Sequence, residues 1–188
     1  MQTPKTRRPV LVGALLAAVA AGGAAYAYSQ RRAPLATVHH VNLSRYAGLW
    51  YEIARLPQYF EKGCHYVTAE YRPLADGRLE VINTCHKGEI HGPVKKARGV
   101  ARAVDPQTNA KLKVQFQWPF EGDYWILALD PEYQFALVGS PDRKGLWILS
   151  RTPHMPLSTR RTLVTMAQGK GFPVDKLIYT DQPAGPLT

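Results

Sequence analysis

Gly48-Leu49-Trp50-Tyr51-Glu52-Ile53-Ala54-Arg55 is the stretch whose reading decides the fold. Its glycine lets the backbone enter a strand under crowded packing. Side chains alternate along a strand, so Trp50, Glu52, Ala54 and Leu56 are expected on one face and Tyr51, Ile53 and Arg55 on the other. A second stretch, Leu146-Trp147-Ile148-Leu149-Ser150-Arg151, answers it near the end of the same pattern, with Trp147, Leu149 and Arg151 on one face.

Between the two, turn signals recur at Asp76-Gly77, Asp105-Pro106, Asp130-Pro131 and Pro141-Asp142. They divide the chain into eight expected strands, at 48–56, 65–72, 78–86, 95–104, 111–117, 124–129, 134–139 and 146–150. Eight antiparallel strands can close into a barrel that has no sheet edges and room for one small ligand. Asn42 is expected to cap a helical turn over the barrel floor. Residues 158–168 read as a helix capped by Ser158 or Thr159, with an apolar stripe of Leu163, Val164 and Ala167 and an end at Gly169 or Gly171. A short strand at 177–179 follows. The fold class is therefore all-β: an eight-stranded antiparallel up-and-down barrel with one C-terminal helix packed outside.

Composition narrows the function. Hydrophobic residues make up 45% of the 188-residue chain and charged ones only 20%, which fits a packed globule rather than a disordered chain. The net charge of +10 includes Lys5, Arg7 and Arg8 at the start, and the rest of the excess is scattered. That pattern argues against nucleic acid as a partner and fits mild attraction to an anionic membrane surface. Residues 1–27 read as a signal peptide or N-terminal anchor: a basic start, an apolar run from Val10, and a small-x-small end at Ala25-Tyr26-Ala27. Export by the general or the twin-arginine route is open. No cysteine lies near the cleavage site, so the chain is not read as a lipoprotein, and its place is taken as periplasmic or envelope-associated. Residues 28–41 read as a linker, 42–183 as the barrel domain and 184–188 as a tail.

The faces suggest a cavity. On the fourth strand Ala97, Gly99, Ala101 and Ala103 alternate with Arg98 and Arg102. A row of small inward residues makes a poor filled core and a good cavity wall. Leu112, Val114 and Phe116 on the fifth strand, and Tyr124, Ile126 and Ala128 on the sixth, share the inward face by the same alternation. Tyr124, Trp147, Phe116 and Ile126 line a cavity on one reading and fill a core on the other. Glu52 points inward if it follows Trp50, where a buried carboxylate needs a partner; a bulge would turn it outward.

Cys64-His65 and Cys85-His86 resemble four metal ligands, but alternation sends each histidine to the face opposite its cysteine. The hairpin turn near 75–77 brings Cys64 and Cys85 nearly opposite each other, and a disulfide fits an exported protein with two cysteines. His39, His40, His91 and His154 show no ligand spacing. No metal, no cofactor and no nucleophile elbow or phosphate loop is expected.

Gly48-x-Trp50 at the first strand and Arg151 after the last resemble the lipocalin signature. Phe60-Glu61-Lys62-Gly63, Tyr133-Gln134-Phe135-Ala136-Leu137-Val138-Gly139 and Leu146 to Pro153 extend the resemblance, in order and spacing, to the bacterial outer-membrane lipocalin group and its plant temperature-induced and apolipoprotein D relatives. The resemblance implies a floor closed by Arg151 lying across Trp50, and a cavity for fatty acids, lysophospholipids or similar molecules. Asp130-Pro131-Glu132 departs from the Thr-Asp-Tyr motif of many members. The expected ligand-binding set is Glu52, Ala54, Gly99, Ala101, Val114, Phe116, Tyr124, Ile126 and Trp147. The expected activity is binding, storage or transport of an amphipathic lipid in the envelope, for membrane maintenance under stress, by a monomer or homodimer; the alternative is a lipid-modifying enzyme using Glu52.

Overall fold

The computed structural model describes residues 34–184, so the reading of residues 1–27 and that of the last four residues lie outside it. Asn42 accepts a hydrogen bond from the Arg45 amide (3.1 Å) and starts the short helix α1 (Leu43–Tyr46). The eight barrel strands follow: β1 (Gly48–Arg55), β2 (Cys64–Pro73), β3 (Leu79–Lys87), β4 (Val94–Ala103), β5 (Lys111–Gln117), β6 (Phe120–Leu129), β7 (Phe135–Gly139) and β8 (Leu146–Ser150). Each pairs antiparallel with the next, β8 pairs with β1, and Gly48–Tyr51 pair with Tyr71–Thr68 to close the barrel. Helix α2 (Leu157–Gly169) and strand β9 (Ile178–Tyr179) lie outside the eight.

β6 begins four residues earlier than alternation predicts. Its first residues are Phe120 and the poor strand formers Glu121-Gly122-Asp123, but Lys113–Asp123 and Arg102–Glu121, each at 2.9 Å, tie them to β5 and β4. Helix α2 is preceded by Pro156 with no side-chain cap, so the expected Ser158 or Thr159 cap is corrected. Gly171, at φ +83°, turns the chain after α2, and Phe172 then packs against Gly139, where a β-carbon would lie 2.6 Å from its ring.

On β1 and β6 a bulge sets which side chains face the barrel interior. On β1 the register slips between Glu52 and Ala54; on β6 it slips between Ile126 and Ala128. An extra residue in one strand shifts the alternation by one. Ile53 and Ala54 thus both join the outer cluster under α2, as do Leu127 and Ala128, with Leu137, Leu146, Ile148, Leu163 and Ala167. Ala54 and Ala128, expected inside, are on the outside; Leu56 also packs there. The inner core holds Trp50, Tyr71, Val81, Ala101, Leu112, Val114, Ile126, Val138 and Leu149. The bulges supply α2 with two consecutive apolar residues from each strand.

The stretch read as a linker is docked from Leu35 onward. Leu35 packs in the outer cluster, and Val38 and Val41 donate backbone hydrogen bonds to the Ile126 and Thr108 carbonyls (3.0 and 2.7 Å). Cys64 and Cys85 form a disulfide. Cys64 pairs with Lys87 and lies diagonal to Cys85; the β2 bulge at Tyr66 (φ +44°) shifts Cys64 by one residue and so brings it onto the face of Cys85.

Candidate ligand cavity

The floor is built from the first and last strands. Trp50 is fully buried and its indole donates to the Tyr46 carbonyl (2.8 Å). The Arg151 guanidinium lies over the Trp50 ring, 3.9 Å from its centroid. Its nitrogens donate to the carbonyls of Tyr133, Leu49, Arg45 and Tyr46 at 2.8–3.2 Å. Gly48 sits at φ +94°, which favours glycine, and its α-carbon lies beneath Arg151, whose Nη1 would stand 3.4 Å from an added β-carbon. The loop at Asp130-Pro131-Glu132 is held by the Asp130 carboxylate, which accepts from the Glu132 and Gln134 amides, and by Arg45, which donates to the Pro131 carbonyl (3.1 Å).

Above the floor, burial falls toward the opposite end. Tyr46, Leu112, Ile126 and Val138 are fully buried, and Val81 and Ala101 nearly so. Further along the same inner face Gly99 and Asn83 are half-buried, and Ala97 and Lys95 are exposed. β4 pairs with β5 only over Val100–Ala103, so the two strands part toward this end. The wall is thus built of small residues and grows more solvent-accessible toward this end. The Phe116 ring covers Gly99, where a β-carbon would meet it at 2.8 Å, and is 44% exposed at the rim.

Two polar groups interrupt the apolar interior. Low in the barrel, the Tyr124 hydroxyl meets those of Tyr46 (2.6 Å) and Tyr71 (2.7 Å). Burial pushes all three phenols up, so they stay neutral. Three hydroxyl hydrogens share two bonds, which leaves one donor over. Nearer the mouth, the β1 bulge brings Arg55 onto the face of Trp147 and Glu52. Arg55 pairs with Glu52 (3.3 Å) and Glu61 (2.8 Å) and donates to the Glu61 carbonyl (2.8 Å). Thr180 donates to Glu52 (2.5 Å). Burial first, then the charge of Glu61, raises the Glu52 carboxyl to about 8 against the pull of Arg55 and Thr180; burial also raises Glu61.

Of the expected ligand-binding set, Gly99, Ala101, Val114, Phe116, Tyr124, Ile126 and Trp147 share the inner face, Glu52 joins them paired to Arg55, and Ala54 does not. Arg55 and Glu61 escape the sequence because a bulge carries no residue signature of its own. Tyr46 and Tyr71 were legible in principle, since Tyr71 alternates with Val67 and Ala69 on β2. Lys95 continues the row of Ala97, Gly99 and Ala101 to the mouth. Among the described residues no group of three His, Cys, Asp or Glu side chains stands together as a metal site requires.

Residues 41–182 match the model of the lipocalin-like domain. The chain is 41% identical to the outer membrane lipoprotein Blc of Escherichia coli K12 over 174 residues, covering 90% of this chain and 98% of that protein. It is 40% identical to temperature-induced lipocalin-1 of Arabidopsis thaliana (79% of this chain, 83% of that protein) and 34% identical to mouse apolipoprotein D (75% and 77%). Among solved structures, insecticyanin of the tobacco hornworm Manduca sexta superposes with a TM-score of 0.65 at 22% identity, covering 81% of this chain and 86% of that one. With its closed barrel, outer helix and Trp50–Arg151 floor, this chain belongs to the lipocalin family.

Proposed function

We propose that the protein binds and carries an amphipathic lipid, a fatty acid or lysophospholipid, in the cell envelope. The observation that supports this best is the inner row Ala97-Gly99-Ala101, accessible at the mouth and buried toward the floor. An acyl tail lies along that wall, and apolar burial supplies about 0.8 kcal/mol per methylene, less the cost of ordering. The head group stays at the mouth, where Lys95 stands on the inner face and offers a cation to a carboxylate or phosphate.

Residues 1–27 act as the export signal or anchor in this reading, and 42–183 as the working domain. Relatives named as lipoproteins favour an envelope location; the two cysteines of this chain are joined to each other, so neither is free to carry a lipid, and an anchor would have to be the N-terminal segment. Membrane maintenance under stress is the service such a carrier performs. A Glu52-based enzyme is disfavoured, because that carboxylate is committed to Arg55 and Thr180. Titration with fluorescent fatty acids and lysophospholipids is expected to saturate at one ligand per chain, displaced by unlabelled lipid; non-saturable binding of both classes would refute the proposal.

A further inference from the structure

The largest exposed aromatic side chains of the described residues are gathered at one end of the barrel. β1–β2, β3–β4, β5–β6 and β7–β8 connect at the end opposite Trp50 and Arg151, which is the mouth. Tyr59 in the first of these connections is 91% exposed, and its neighbour Phe60 packs edge-on against it. Trp118 and Phe120 at the third are 82% and 74% exposed. Water-facing aromatics of this size are costly on a free surface, and their grouping marks a contact surface.

The charge around them selects the partner. Lys62, Lys95, Lys96 and Lys144 are exposed on the same end, none in an ion pair among the described residues, against exposed Glu89 and Asp142; Glu121, which follows Phe120, is also exposed but is neutralised by Arg102 at 2.9 Å. Indole and phenyl rings beside lysines suit the head-group layer of a bilayer: the rings enter the acyl boundary while the ammonium groups meet anionic phosphates. We propose that the barrel docks mouth-down on an anionic phospholipid bilayer, with Trp118, Phe120, Tyr59 and Phe60 inserted and these lysines on the lipid phosphates. The docking takes its purpose from the lipid-carrier reading, since a mouth pressed to the membrane passes an amphiphile into the barrel without exposing its tail to water. The contact itself stands apart from that reading.

The test uses the full chain, whose N-terminal segment is the same in every variant. Vesicles of phosphatidylcholine containing brominated phosphatidylglycerol are expected to quench the tryptophan fluorescence, and Trp118→Phe to remove most of that quenching. Trp118→Ser with Phe120→Ser is expected to weaken vesicle binding by at least about tenfold, and each lysine that reaches the surface to contribute about fivefold, lost at high salt. Equal quenching in wild type and Trp118→Phe overturns the proposal, as does equal quenching by brominated phosphatidylcholine alone. Concentration-dependent self-association without lipid, abolished in the double variant, also overturns it in favour of a second copy as the occupant. Fatty-acid titration without vesicles, on wild type and on Trp118→Phe, separates the two readings. If no fatty acid binds while the quenching pattern holds, the docking stands and the carrier falls.

Discussion

Arg151 reaches Trp50 across the whole length of the barrel domain's sequence and lies 3.9 Å from the centre of its ring. The contact welds the residue after the last barrel strand to the first strand, and four carbonyls fix the guanidinium in that plane. Lysine keeps the charge but loses the planar stacking and the fork of donors. Arg151→Lys is expected to lower stability by about 1–2 kcal/mol, read from denaturant unfolding. Lipid affinity measured well below the melting temperature should be unchanged, because the floor is remote from the mouth. Loss of binding with unchanged stability would mean that the barrel has been read from the wrong end.

The mouth half of the inner wall predicts a different split. Ala97 is an inward, exposed residue, so a large side chain there has space and no core to disturb. Ala97→Trp is expected to reduce fatty-acid affinity at least about tenfold, the scale of two buried methylenes displaced, while the melting temperature stays within a few degrees. Unchanged affinity would place the ligand elsewhere.

Alternation alone carried the fold a long way, and the faces it misassigned have one cause. Trp50, Val114, Tyr124 and Leu149 face inward as alternation predicts, because the first three lie before the register slip of their strands and β8 has none. Ala54 and Ala128 do not, because one extra residue on β1 and one on β6 reverse the faces beyond it. Nothing in Ile53-Ala54 or Leu127-Ala128 announces a bulge; what rewards it is the outer cluster shared with the helix Leu157–Gly169, distant in sequence, in which Ile53, Ala54 and Leu127 are buried and Ala128 half-buried. The same slip delivered Arg55 to Glu52, so the buried ion cluster was illegible although each of its residues was in view. The two cysteines lean on a bulge as well: one hairpin brings them near each other, and the extra residue on β2 turns Cys64 to the face of Cys85.

That ion cluster has a pH signature. Glu52 titrates near 8 in the folded protein and near 4.5 when free, with Glu61 shifted in the same direction. The folded state therefore holds more protons than the unfolded one between those values, and stability falls as pH rises through this window. The slope is at most about 1.4 kcal/mol per pH unit for each proton involved. Asp76, Asp105 and Asp142, whose carboxyls are lowered, act only at more acidic pH. Glu52→Gln is expected to flatten the decline between pH 5 and 8, measured by urea unfolding across that range. An equally steep decline in the variant would show that Glu52 is not its source.

The disulfide pins β2 to β3 at the mouth, closing a loop with a sequence separation of 21. Chain entropy assigns about 3 kcal/mol to a loop of that size. Replacing both cysteines by alanine is expected to cost about that much in urea unfolding. Free-thiol titration of the unreduced, unfolded protein should find none; two thiols would disprove the bond.

Beyond Tyr51 and Thr68 the strands β1 and β2 no longer pair, and the C-terminal segment fills the seam. β9 takes up β1 at Ala54 and Arg55, the Thr180 amide donates to the Ile53 carbonyl (3.1 Å), and the Tyr66 amide donates to the Asp181 carbonyl (2.8 Å). Gln182 completes the stitch from its side chain, its Nε2 donating to the Glu52 carbonyl on one strand (2.8 Å) and to the Val67 carbonyl on the other (2.9 Å). One amide thus satisfies an acceptor on each side of the gap, and no other residue type offers two donors on a neutral planar group of that reach except asparagine, which is shorter. Gln182→Ala leaves both carbonyls without this donor and is expected to cost about 1–2 kcal/mol. The seam should loosen before the floor does: hydrogen exchange at the Thr180 and Tyr66 amides should quicken, while exchange at the Arg151 amide, which donates to the Gln134 carbonyl at the far end, stays the same. Uniform acceleration at all three amides would mean that the variant lowers global stability alone and that the seam is not a separate opening unit; unchanged exchange would mean that Gln182 holds nothing together.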